Sequence, residues 1–226
     1  MKDTAAVTQN QKSRFGSLSS ITMRILITAG PTREPLDTVR FLSNHSSGSM
    51  GIALAEAAAT AGHATTLLLG PVCAPPPPGV RAVRFSSCAD LQAALQSEFP
   101  ACDLLIMTAA VADYRLAAPL AGKVERGADL ALTLTPTPDL VAGCAKSKRP
   151  DQTVVAFALE ESTRLCERAQ EKMRRKGVDA IVANPLETMN APTIRGTLMR
   201  ADGRSETPGT LPKAEFARWL VAQLAG

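Results

Sequence analysis

The sequence predicts an α/β fold, a Rossmann-like, doubly wound and mostly parallel sheet with helices on both faces. Two features carry this reading. Five apolar runs, Arg24 to Ala29, Ala64 to Leu69, Asp103 to Ala110, Thr153 to Leu159 and Asp179 to Ala183, are nearly continuous and lack the alternation of a half-solvated strand. Strands buried on both faces read this way. Segments with helical periodicity separate the runs, and strands alternating with helices imply a parallel sheet covered on both sides.

The first helix follows Ser47. Met50, Ala53, Leu54, Ala57, Ala58 and Ala61 share one helical face, small enough to pack close to the sheet, and Gly62 supplies the stop. Ser87 with Asp90 three residues on has the form of a capping box ahead of the face Leu91, Ala94, Leu95 and Phe99, and Pro100 ends that helix. Thr137-Pro138-Asp139 reads as the start of a third helix reaching about Ser147, since proline suits the first turn and a carboxylate suits the positive end of the dipole. A fourth helix spans about Ser162 to Gly177, and a fifth begins near Pro212 and turns Phe216, Trp219, Leu220 and Leu224 inward. Pro75 to Pro78 reads as an extended polyproline connection, not a domain boundary.

A chain of 226 residues suits one α/β domain, here residues 23–226. Residues 1–22 read as a flexible leader, polar up to Ser20 and without an apolar signal region. With 45% hydrophobic and 20% charged residues and no long apolar run, no membrane span is expected, and a cytoplasmic location follows. The net charge of +4 is spread thinly, which argues against nucleic-acid binding. Its one dense cluster, Lys172, Arg174, Arg175 and Lys176, reads as a solvated helix end whose dipole favours cations. The five cysteines are odd in number and form no Cys-x-x-Cys pair, so they read as reduced packing residues and not as disulfides or a zinc site.

Two loops follow the first strand: Thr28-Ala29-Gly30-Pro31-Thr32, and Asn44 to Gly51 just before the first helix. Ligands of open parallel sheets bind beyond the carboxyl ends of the strands, and a Gly/Ser-rich helix start offers free N–H groups to phosphate. An anion site is therefore expected here, although the same glycines also suit tight turns and close packing. The tract is neither the common Gly-x-Gly-x-x-Gly fingerprint nor a Walker loop.

The string from Ile27 to Gly51, ITAGPTREPLDTVRFLSNHSSGSMG, closely resembles the opening of phosphopantothenoylcysteine synthetase in its bacterial form, the enzyme often fused behind a flavin-dependent decarboxylase. The resemblance continues through AAVADYR at Ala109 to Arg115, a lysine at 123, TPDLVAG at Thr137 to Gly143 and DAIVAN at Asp179 to Asn184. It implies a ligase, here stand-alone, that joins 4'-phosphopantothenate to L-cysteine in coenzyme A biosynthesis. The implied route is an acyl-cytidylate formed from CTP with loss of pyrophosphate, with Mg2+ as the usual cation.

The resemblance also implies residue roles. Asn44 would hold the acyl nucleotide during attack by cysteine, and Lys123, on a mobile flap around 115–130, would engage the triphosphate. Gly30, Ser46, Ser47, Gly48, Ala109, Ala110, Asp113, Asp139 and Phe157 match nucleotide-site positions, with Asp113 meeting a ribose hydroxyl or the metal. Asn184 matches a substrate position. Chemically these types make sense, because a carboxylate attacking an α-phosphorus needs cations and fixed dipoles aimed at the developing charge. The family's homodimer, and a separate decarboxylase as partner, are implied by the same resemblance.

Departures from the family pattern are clear. Ser49 replaces the lysine of Ser-Ser-Gly-Lys-Met-Gly; Glu125 and Arg126 replace the second and third lysines of the flap; Ala156 opens a segment that usually begins with glycine. They bear on affinity, rate and nucleotide choice. A competing reading is a non-catalytic nucleotide- or flavin-binding Rossmann module. A short-chain-type oxidoreductase is disfavoured, since Tyr114 is the only tyrosine and position 118 is alanine, leaving no Tyr-x-x-x-Lys.

Overall fold

The structure is a computed structural model that describes residues 22–127 and 129–226. The expected leader, up to residue 21, lies outside the described residues. The chain runs β1 (Arg24–Ala29), β2 (Arg33–Pro35), β3 (Phe41–Ser43), α1 (Ser49–Thr60), β4 (Ala64–Leu69), β5 (Arg81–Arg84), α2 (Cys88–Glu98) and β6 (Leu104–Met107). It continues with β7 (Tyr114–Leu116), β8 (Leu134–Pro136), α3 (Leu140–Ser147), β9 (Thr153–Glu160), α4 (Leu165–Lys176) and β10 (Ala180–Pro185). The short strands β11 (Thr193–Ile194), β12 (Thr197–Arg200), β13 (Ser205–Glu206) and β14 (Leu211–Pro212) precede α5 (Lys213–Ala225).

Eight strands form the main sheet in the order β13-β12-β10-β9-β6-β1-β4-β5. All pairings from β10 to β5 are parallel, while β12 and β13 add an antiparallel edge. The sequence pattern does not announce β5, β12 or β13, because these strands, at the two ends of the sheet, are short and carry arginine, serine or glutamate. Helices cover both faces. Leu91 and Leu95 of α2, Val141 of α3 and Met173 of α4 pack on one side, and Leu54 and Ala58 of α1 with Phe216 and Leu220 of α5 pack on the other. The predicted doubly wound class is therefore the observed one. Since β1 pairs with β4 on one side and β6 on the other, the winding reverses there, and a crevice opens beyond their carboxyl ends.

Local chemistry sets the element ends. The Ser87–Asp90 capping box forms as its spacing predicts. The third helix, however, starts later than expected: Asp139 is its cap, accepting the Ala142 N–H at 3.2 Å, while the Thr137 hydroxyl donates to Ala112 O at 2.6 Å. The apolar run to Ala110 leaves the sheet at Met107, where Thr28 takes over as partner, its Oγ1 accepting the Ala109 N–H at 3.0 Å. Burial, with Asp103 nearby, pushes the Cys102 thiol up to about 12, and burial pushes that of Cys144 up to about 11. All five cysteines are free.

Candidate functional site

The crevice is floored by two loops locked to each other. Ala110 N–H donates to Gly30 O at 2.9 Å, Thr32 N–H to Ala110 O at 3.1 Å, and Ala112 N–H to Thr32 Oγ1 at 3.0 Å. These three bonds tie the two loops to each other. Gly30 itself is buried beneath Gly48, outside the residues that line the cleft, and its φ of 88° suits glycine in the turn.

Above this floor stands the start of α1. Gly48 caps the helix at φ 71°, a left-handed conformation that glycine adopts without strain, and it offers no side-chain cap, so that only Ser49 N–H meets a side chain, Ser47 Oγ at 3.5 Å, among the described residues. At Gly51 an added Cβ would lie 2.5 Å from both Ala29 Cβ and Thr108 Oγ1, so only glycine lets α1 approach the sheet this closely. The first-turn N–H groups and the hydroxyls of Ser46, Ser47 and Ser49 thus face a cleft of about 480 Å³. Free donors and the positive dipole end suit an anion there.

The opposite wall comes from β6, β9, β10 and α4. Ala109, Ala110, Asp113, Phe157 and Lys172 line both this cleft and an adjoining one of about 760 Å³, so the two form one groove. The Asp113 carboxylate has no hydrogen-bond partner among the described residues and is exposed to the groove. Arg175 and Lys176 line the second part, together with Asp139. The basic cluster is therefore not a merely solvated helix end. Lys172 forms an ion pair with Glu160, and Lys176 reaches Asp139 at 2.5 Å. Helical spacing on α4 puts these cations on one face, but only the packing of α4 beside β9 and α3 turns that face to the groove.

Asn44 sits at the lip. Its Nδ2 donates to Ala110 O at 3.2 Å and to Val111 O at 3.0 Å, which engages both amide hydrogens and leaves Oδ1 without a protein partner among the described residues. The expected donation to an acyl oxygen therefore requires one of these bonds to exchange. Asn184, at the end of β10, also lines the cleft and donates to Thr188 Oγ1 at 3.0 Å. Nearby, Asn190 adopts φ 58°, the only positive φ of a non-glycine residue among those described.

Lys123 is not brought into the groove. It lies exposed on the excursion between β7 and β8, beside Glu125 and Arg126. That excursion is clipped to the turn before β3: Leu120 N–H donates to Leu36 O at 2.8 Å, Val124 N–H to Asp37 Oδ2 at 3.2 Å, and Arg40 to Val124 O. Among the described residues, no group of three or more His, Cys, Asp or Glu side chains could hold a metal by itself.

Sequence reasoning brings Asn44, Ser46, Ser47, Gly48, Ala109, Ala110, Asp113, Asp139, Phe157 and Asn184 to the groove, and all are there. It misses Lys172, Arg175, Lys176 and Lys213. A cationic stripe at helical spacing is the only signal that could have found the first three.

The family described as the DNA/pantothenate metabolism flavoprotein C-terminal domain matches residues 21–226. A cysteine/cysteine sulfinic acid decarboxylase from an unknown prokaryote is 42% identical over 170 residues, 74% of this chain and 47% of that protein. The coenzyme A biosynthesis bifunctional protein CoaBC of Escherichia coli K12 is 41% identical over 194 residues, 82% of this chain and 48% of that protein. The chain thus spans about half the length of the curated relatives it matches. The crystal structure of the C-terminal domain of a CoaBC protein superposes with a TM-score of 0.78 at 36% identity, covering 90% of this chain and 94% of that one.

Proposed function

Since the chain belongs to the DNA/pantothenate metabolism flavoprotein C-terminal domain family, as a domain of the phosphopantothenoylcysteine synthetase type, we propose that it is a ligase of coenzyme A biosynthesis. It joins 4'-phosphopantothenate to L-cysteine through an acyl-cytidylate. One observation carries the reading: an uncapped, serine-rich helix start faces a carboxylate and a cationic wall across a single groove.

In the first step a carboxylate oxygen of phosphopantothenate bonds to the α-phosphorus of CTP, and the α–β bridging bond breaks to release pyrophosphate. Charge grows on the phosphoryl oxygens as this happens. Preorganised N–H dipoles of α1 and the ammonium groups of α4 stabilise it at little reorganisation cost, which is why such donors are worth more in a cleft than in water. The cysteine amine then attacks the acyl carbon, CMP leaves with the C–O bond electrons, and the amine proton passes to solvent. Asn44 orients the acyl group at the lip. Lys123 joins only if the excursion between β7 and β8 folds toward the groove.

Asp113 offers one free carboxylate, which suits Mg2+ carried in by nucleotide phosphates better than a protein-built cage. When bound, the ion would neutralise phosphate charge. CTP, Mg2+ and a homodimeric assembly are parts of this proposal.

Incubation with each nucleoside triphosphate, phosphopantothenate, Mg2+ and cysteine tests it. Pyrophosphate release should depend on phosphopantothenate and be fastest with CTP. Tight CTP binding with no release under any combination would instead favour the non-catalytic module.

A further inference from the structure

We propose that Lys213, at the opposite end of the chain from the serine-rich loop, is the cation that holds a substrate phosphoryl group at the start of α1. The inference rests on the ligase reading for the identity of that group. Lys213 is the first residue of α5, and α5 packs along α1 so that both helices begin at the cleft. Its Nζ donates to Ser49 Oγ at 3.0 Å. A cation is disfavoured at the positive end of its own helix, and here it also touches the positive end of a second.

No ion pair among the described residues offsets this crowding. Lys172 and Lys176 across the groove each hold a carboxylate, but Lys213 makes no ion pair among the described residues, and Glu215 in its own first turn is exposed. Lys213 is only half exposed, and burial alone pushes its amino group below the usual lysine value. Ser49 supplies the complementary signal. Its oxygen accepts from Lys213 Nζ and from Ser47 Oγ, the latter at 3.0 Å, so its own proton is left for an acceptor arriving from the cleft. A half-buried cation, a hydroxyl proton and uncapped N–H groups converge on one point, which fits a tetrahedral dianion.

Two sources carry that chemistry: the phosphomonoester of 4'-phosphopantothenate and the triphosphate of the nucleotide. Position 49 is where the family carries lysine, so Lys213 delivers charge to that place from another element. The test is calorimetric binding of phosphopantothenate, unphosphorylated pantothenate and CTP to the wild-type chain, Lys213→Ala, Lys213→Arg and the double variant Lys213→Ala/Ser49→Lys. Lys213→Ala should weaken one phosphorylated ligand roughly 10- to 100-fold, the loss expected for one charged hydrogen bond, and leave pantothenate unchanged. Loss confined to phosphopantothenate assigns the monoester; loss confined to CTP assigns the triphosphate. The Ser49→Lys change should restore most of the affinity, which no purely structural role of Lys213 would allow.

Unchanged binding of both phosphorylated ligands, or an equal loss for pantothenate, would overturn the proposal. The ligase reading fails separately, if the wild-type chain binds these ligands but never releases pyrophosphate.

Discussion

Asn44 shows how little a single residue type says about its work until its partners are known. With both amide hydrogens held by Ala110 and Val111 carbonyls, it ties the loop before α1 to the loop after β6. Asn44→Asp replaces two attractive contacts by a carboxylate facing two carbonyl oxygens, and places negative charge beside the anion cleft. Because Asn44 is exposed, the melting temperature should change by no more than a few degrees. Turnover should fall roughly 100-fold, the scale of losing one oriented donor. If the acyl group is what Asn44 orients, rapid quench with labelled CTP should show acyl-nucleotide accumulating. Equal loss of both chemical steps would place Asn44 in loop anchoring alone.

The excursion between β7 and β8, which carries Lys123, is clipped to the turn before β3. Its clip depends on Asp37, a buried carboxylate that accepts N–H bonds from Val39 and Arg40 at 2.8 and 2.7 Å as well as from Val124. The Val39 N–H is the main cause holding its pKa below the ordinary value, with Arg40 and Val124 adding. A depressed folded pKa means the clip contributes stability above the unfolded value of about 4 and loses it as pH falls further. Limited proteolysis after Arg126 should therefore accelerate below about pH 4, and Asp37→Asn should show the fast rate already at pH 7. Lys123→Gln, on the same element, should leave melting unchanged. It should slow acyl-nucleotide formation roughly 100-fold if the excursion delivers Lys123 to the triphosphate. Near-normal turnover at saturating CTP would leave the cations of α4 to neutralise it.

For the molecule as a whole, the two hairpins beside the groove leave large apolar side chains in water. Phe41 is 46% exposed and Tyr114 57%, on adjoining strand pairs, with Arg33 stacked 4.4 Å from the Phe41 ring centre. A second copy covering them would account for both this surface and the dimer implied by the family. Light scattering at micromolar concentration should give twice the chain mass, and Phe41→Arg should return it to one. A wild-type monomer under those conditions would leave the apolar hairpins without that explanation.

By itself, the sequence determined what depends on local periodicity and short-range chemistry. The runs at Arg24 to Ala29 and Ala64 to Leu69 are strands residue for residue, the Ser87 cap forms, and Gly177 ends α4, because these follow from continuous apolar runs, capping and backbone freedom within a few residues. The SNHSSG tract marked the cleft for the same reason, since a helix start carries its own free donors. Charge placement was decided elsewhere. Lys172 and Lys176 read as surface cations until α4 packs beside β9, and Lys213 lies 164 positions from Ser49, so only the packing of α5 on α1 brings its ammonium to the loop. Lys123 shows the converse, matching the family in order along the chain while its clip holds it outside the groove. Electrostatic partnership acts through space over a few ångströms, and linear spacing carries no record of which distant elements the sheet will bring that close.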